Sequence, residues 1–393
     1  MKIRHGLLLL ALAAGAIISA EEIEIRDFNL PGNWKVNWKP IQKDRIADGW
    51  FKVETAQVCS LSVRSYPLGG EKAMEKPFTG IVFKVKGDGS DEWGRISVQA
   101  GPMGGCSFYF PLKSKEVVEY RAAFSDMAPT NDNSRLPAAA LRAGEITGFQ
   151  LGDRWNIGQN NARRKPFSYE VSGLKLSDEI KGKFVPGRCR IAPVDSVIAK
   201  MKAKRPVLIL CFGDSITAGT SLRNKDQDRY ATVLQGLLRK KYGYDGITVR
   251  SVAVGGAHTY DSIGWLDRDL AQGKPDAATM LIGYNNRSNS QTKENYAAHL
   301  ERWLELFALK TGGQAPVVLL PTLPAISRFH TQRDMAEATR EVAKKYGLAV
   351  ASADQEFTKL GPDKLRKFVA DGVHPNPEGH KIIANILLRA FSK

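Results

Sequence analysis

The chain has 393 residues, 43% hydrophobic and 25% charged, and a formal net charge of +16. That length suits two domains, and the ordinary globular balance excludes a collagen-like, coiled-coil or disordered chain. The basic residues are scattered, with only short clusters such as Lys202-Ala-Lys204-Arg205 and Arg239-Lys240-Lys241. No nucleic-acid signature accompanies them, so the surplus reads as a solvated basic surface and no nucleic-acid partner is expected.

Residues 1–20 read as a secretory signal peptide. Lys2, Arg4 and His5 precede a short apolar run, Ile18-Ser19-Ala20 offers a small-residue cleavage site, and Glu21-Glu22 opens a polar sequence. The apolar run falls short of the ~20 residues that span a bilayer. No later stretch is long and apolar enough, so a secreted or periplasmic protein without stable membrane insertion is expected. The oligomeric state is left open.

From 21 to 178 the pattern is short and alternating, as in Trp50-Phe-Lys-Val, Gly80-Ile-Val-Phe-Lys-Val-Lys and Ser168-Tyr-Glu-Val-Ser-Gly-Leu-Lys-Leu, with Gly, Pro, Asn and Asp clusters between. Such alternation predicts an all-β sandwich with almost no helix. Residues 179–204 form a connector ending in a short helix at 195–202. From 205 the chain alternates apolar strands with helical patterns. Strands are expected at 207–212, 247–253, 277–282, 316–320 and 348–351, and helices at 230–242, 296–309, 331–346 and 377–392. This is the grammar of an α/β domain, a parallel sheet covered on both faces.

Four cysteines are present: Cys59, Cys106, Cys189 and Cys211. Export permits disulfides, and the strand-like settings of Cys59 and Cys106 make them a candidate pair. Cys211, inside an apolar strand, reads as a buried inert thiol. No Cys/His set has metal-ligand spacing, so neither metal nor cofactor is expected.

Sites in open parallel sheets form at the carboxyl ends of the strands. There the sequence places Gly213-Asp214-Ser215, Gly255-Gly256 and Gly283-Tyr284-Asn285-Asn286, and Asp371-Gly-Val-His374 precedes the last helix. A serine hydroxyl needs a base to take its proton, and histidine is the usual one near neutral pH. Ser215 is therefore the candidate nucleophile, His374 its base and Asp371 the carboxylate that orients the imidazole. A developing oxyanion needs fixed donors. The backbone N–H of Ser215, that of Gly255 or Gly256, and the Asn285 amide are the right types. Asp214 reads as a structural hydrogen-bonding residue. His258, His299, His330 and His380 read as surface or local residues, His258 with the further option of lining the pocket.

These blocks resemble those of the SGNH hydrolases, a branch of the GDSL lipase/esterase group. The family's Ser, Gly, Asn and His fall on Ser215 in GDSIT, Gly256 in AVGGAHT, Asn285 in IGYNN and His374 in DGVHPN. The resemblance covers roughly residues 205–393. It implies a flavodoxin-like three-layer α/β/α fold, metal-free ester hydrolysis, and Gly256 as the glycine donor. The third block commonly reads Gly-x-Asn-Asp; here Asn286 stands in the last place, which bears on that loop's geometry.

The N-terminal half holds Trp34, Trp38, Trp50, Trp93 and Trp155, aromatic faces suited either to sugar rings or to a sandwich core. Residues 148–158, with the strand ending at Leu176, resemble the closing part of a galactose-binding-like jelly roll. A jelly roll ahead of an SGNH domain is similar to the layout of carbohydrate esterase family 2. That likeness implies an acetylesterase acting on an acetylated polysaccharide or small ester. A lipase, lysophospholipase or thioesterase of the same fold, and an inactive glycan-binding protein, are the alternatives.

Overall fold

The structure is a computed structural model. It describes residues 21–41, 45–54, 57–63, 74–101, 104–152, 166–187 and 190–392. The signal-peptide reading of 1–20, Trp155 and Cys189 lie outside them.

Among the described residues, 21–178 build a small two-stranded sheet, Pro77–Phe78 with Leu141–Arg142, and two large antiparallel sheets. In one, Val118–Ala123, Gly80–Lys86, Ser168–Ser177, Trp50–Glu54 and Ile46–Ala47 lie side by side, and Glu22–Glu24 pairs with the end of Ser168–Ser177. In the other the order is Ala128–Pro129, Cys106–Pro111, Trp93–Ala100, Ile146–Leu151, Cys59–Ser62, Trp34–Val36 and Lys39–Pro40. Alternate side chains from both sheets fill one apolar core that includes Phe51, Phe83, Ile96, Phe110, Phe149 and Val171, as a two-sheet stack requires. Phe110 touches Phe83, Tyr120 and Tyr169, with ring centroids 5.4–5.5 Å away. Gly94 makes room for it, because a Cβ there would come 2.2 Å from the Phe110 ring.

The core settles two earlier expectations. Trp34 is fully buried, stacks on Phe51 at 3.9 Å and donates its indole N–H to the Phe28 carbonyl at 2.8 Å, so it is a core residue. Cys59 and Cys106 are not a disulfide pair; both are free and buried. Two strands, Trp93–Ala100 and Ile146–Leu151, separate theirs. At about 4.8 Å per strand that is far beyond the ~7 Å a bridge allows. Burial pushes each thiol up to about 12.

The C-terminal half is a five-stranded parallel sheet in the order Ile247–Ser251, Val207–Gly213, Ala277–Leu281, Val317–Leu320, Ala349–Val350. This is the flavodoxin-like order, with its switch point beside the Val207–Gly213 strand. One apolar cluster beneath Tyr230–Tyr242 and Pro377–Ala390 covers one face, and another beneath Lys293–Thr311 and Arg333–Tyr346 covers the other. The helix Asp195–Lys202 packs Val197, Ile198 and Met201 into the first cluster. A helix over Ala353–Leu365 was not expected. Gly361 (φ 69°) and Pro362 interrupt it, so its sequence lacks a continuous helical stripe.

Candidate active site

Ser215 sits where the Val207–Gly213 strand turns sharply into a four-residue helix, Ser215–Ala218. Gly213 adopts φ 153°, and a Cβ there would meet the Leu281 carbonyl at 2.2 Å and the Thr217 hydroxyl at 2.3 Å. Only glycine fits that turn. Asp214 caps the short helix by accepting the Ile216 N–H at 3.0 Å, the structural role expected of it. Its burial pushes its carboxyl up to about 6.

His374 arrives from the other end of the chain. The loop before the last helix folds back on itself, with Ala370 N–H on the His374 carbonyl at 2.8 Å. Asn376 then caps the Pro377–Ala390 helix through the Gly379 N–H, and Pro377 opens it. This delivers the imidazole Nε2 to 2.8 Å from Ser215 Oγ and its Nδ1 to 2.7 Å from Asp371 Oδ2. The other Asp371 oxygen accepts the backbone N–H of His374 at 2.8 Å and of Val373 at 3.0 Å. Partial burial works to raise the Asp371 pKa. Those hydrogen bonds and the imidazole outweigh it and hold the carboxyl well below the usual carboxylate range. Ser221, a non-glycine residue at φ 73°, also donates to Asp371 Oδ2, at 3.1 Å. Its role depends on a backbone turn that residue type alone does not reveal.

Gly255 and Gly256 follow the edge strand Ile247–Ser251. A Cβ on Gly255 would lie 3.9 Å from Ser215 Cβ, so this loop runs alongside the serine. Gly256 has φ 81°, a left-handed backbone that strains any other residue. Asn285, after the Ala277–Leu281 strand, donates one amide N–H to the Ala257 carbonyl at 3.0 Å. That bond ties the glycine loop to the asparagine loop. Among the described residues no second acceptor meets this amide, which leaves an N–H of the kind an oxyanion needs.

The structure therefore brings Ser215, His374 and Asp371 into one hydrogen-bonded chain, with the Gly255–Gly256 and Asn285 loops beside it. Residues 211–382 match the model of the GDSL-like Lipase/Acylhydrolase family. The chain carries a GDSL-like acylhydrolase domain. It is similar to the acetylxylan esterase of Xylanibacter ruminicola, 26% identical over 212 residues that cover 47% of this chain and 43% of that protein. It is also similar to the acetylxylan esterase of Geobacillus stearothermophilus, 25% identical over 46% of this chain and 92% of that one. The chain thus spans less than half the length of the first relative. Among solved structures, that of the Geobacillus stearothermophilus acetylxylan esterase gives a TM-score of 0.41 at 21% identity, covering 48% of this chain and 94% of that one. A GDSL-like lipase from Parabacteroides merdae gives 0.41 at 22%, covering 47% and 95%.

Of the remaining histidines, His330 is exposed as expected, while His380 and His299 are buried. His380 is buried, accepts the Tyr230 N–H on Nδ1 at 3.2 Å, and is pushed down to about 3 by its burial. His299 is buried against the Ser134 carbonyl, 2.9 Å from Nε2, and burial lowers its pKa. Both follow helical periodicity onto an inner face, a signal that their polarity masked. His258 Nδ1 lies 2.7 Å from Asp132 Oδ2. Asp132 belongs to the sandwich half, and nothing in its local sequence points to a site.

Between the halves runs a cleft of about 550 Å³. Trp93, Asp91 and Lys113 of the sandwich line it opposite Ser251–Val254 and Arg268. Trp93, unlike Trp34, is half-buried on that wall.

Proposed function

We propose that this protein is a serine carboxylic ester hydrolase that removes acetyl groups from a polysaccharide. The observation that carries the reading is the relay Asp371–His374–Ser215, with contacts of 2.7 and 2.8 Å. In it, His374 Nε2 takes the Ser215 hydroxyl proton as Oγ attacks the ester carbonyl carbon. The ester C–O bond breaks, the sugar oxygen leaves with that proton, and acetyl-Ser215 remains. Water then gives a proton to His374 and its oxygen to the acetyl carbon, and acetate departs as Ser215 is reprotonated. Asp371 stays ionised and holds the imidazolium. Ser215 N–H, Gly256 N–H and the Asn285 amide stabilise the oxyanion of each tetrahedral intermediate.

The acetyl-sugar substrate is supported by the names of the two esterase relatives and by Trp93 on the cleft wall. The pattern of residues 1–20 supports export. The test is acetate release from acetylated xylan by the mature chain, alongside a chain-length series of 4-nitrophenyl esters. An acetylesterase falls steeply beyond the shortest acyl groups and loses both activities in Ser215→Ala. A profile that rises with acyl length contradicts the acetyl specificity and favours the lipase alternative.

A further inference from the structure

The resemblance to the SGNH pattern left one position out of place, Asn286, and the structure shows what faces it. Asn286 is fully buried, and its amide Nδ2 lies 2.9 Å from Asp132 Oδ1, 2.9 Å from Thr259 Oγ1 and 2.7 Å from Gln291 Oε1. All three groups can accept. An aspartate at 286 would set its carboxylate against that of Asp132, two like charges at hydrogen-bond distance in a buried site. Asparagine turns the repulsion into a bond.

Asp132 comes from the sandwich half, three residues beyond the short strand Ala128–Pro129. An Asx turn shapes its loop, with Asn131 Oδ1 accepting the N–H of Asn133 and of Ser134. Thr130 anchors it by donating to the Gly104 carbonyl at 2.9 Å. The loop is then clasped by the α/β half: Gln291 Nε2 donates to the Asp132 carbonyl at 2.9 Å, and His299 Nε2 meets the Ser134 carbonyl at 2.9 Å. Asp132, Ser134, Asn286, Gln291 and His299 are all buried.

The two carboxylate oxygens of Asp132 go to different loops. Oδ1 takes Asn286, the neighbour of Asn285. Oδ2 takes His258, two residues after Gly256. The Asn285 amide on the Ala257 carbonyl closes the ring. The helix that follows, Thr259–Gly264, is pressed on the sandwich at Gly264, where a Cβ would come 2.4 Å from the Tyr109 ring.

We infer that Asp132 of the sandwich is a positioning residue for the esterase centre, one carboxylate that sets both the Gly256 and the Asn285 oxyanion loops. The inference rests on the esterase reading of Ser215. It makes the sandwich part of the reaction site, with a role separate from any glycan binding. A displacement of about 1 Å in such donors costs on the order of 100-fold in rate, so the residue acts through geometry without touching substrate.

The experiment compares wild type, Asp132→Asn, Asn286→Asp and the double variant on 4-nitrophenyl acetate, with circular dichroism fixing the folded fraction. Asp132→Asn is expected to lower kcat by about 10- to 100-fold with KM within about 3-fold. Asn286→Asp is expected to be worse. The double variant, which restores a carboxylate–amide pair with its polarity reversed, is expected to exceed either single variant in kcat. Hydrogen–deuterium exchange over residues 252–264 and 283–291 should quicken in folded Asp132→Asn. Unchanged kcat and unchanged exchange in that variant would overturn the inference, as would a double variant no better than the worse single one. Should the wild-type chain hydrolyse no ester, the esterase reading fails, and exchange at those two segments still decides whether Asp132 sets the loops.

Discussion

The two halves of this molecule divide their labour differently along the chain. The sandwich spends its alternating residues on one apolar core, and its polar side chains mostly serve its own turns and edges. The α/β half places the groups proposed to react on strand ends and on a loop 159 residues beyond Ser215. Stability in the first region and chemistry in the second should therefore respond to different substitutions, and Asp132 is where the two meet.

That contrast can be broken at either end. The largest effect is expected for Phe110→Ala, which empties the centre of the sandwich core. It should cost about 3–5 kcal/mol of stability while kcat of the folded fraction stays within about 3-fold. Thermal unfolding together with initial rates reads both, and a fall in kcat without a fall in Tm would erase the division. Asn285→Ala should do the converse. It removes one proposed oxyanion donor and should lower kcat by about 100- to 1000-fold with little change in Tm.

A smaller effect sharpens the meeting point. Burial works to lower the pKa of the His258 ring, but Asp132, with Asp261 and Asp214 behind it, outweighs burial and raises it. A histidine raised on folding adds stability that is fully present below its unfolded value and is lost as pH rises through the folded one. The Tm gap between wild type and Asp132→Asn should accordingly be wider at pH 5.5 than at pH 9. A gap independent of pH would mean that the His258 contact carries no charge.

The sequence made the α/β half legible because its chemistry is local. Ser215 follows a buried strand, Asp371 and His374 are three residues apart, and the helices Tyr230–Tyr242 and Asp195–Lys202 carry their own periodicity. The two sheets of the sandwich were legible from alternation alone. What escaped depends on tertiary approach. Ser221 reaches Asp371 only through a left-handed turn. Asp132 reaches Asn286 across 154 residues, a pairing that accounts for the Asn where the resemblance commonly has Asp. The candidate pairing of Cys59 with Cys106 fails because strand character does not give strand order.

The central claim, that Ser215 is the atom acylated by substrate, is tested most directly by trapping the intermediate. The protein would be quenched in acid during turnover of an acetyl ester, digested, and its peptides weighed. One added acetyl group on the peptide carrying Ser215, absent from Ser215→Ala and strongly diminished in His374→Ala, which lacks the base that takes the serine proton, is the expected result. Full ester hydrolysis by Ser215→Ala, or an acetyl group carried on another residue at the rate of turnover, would contradict it.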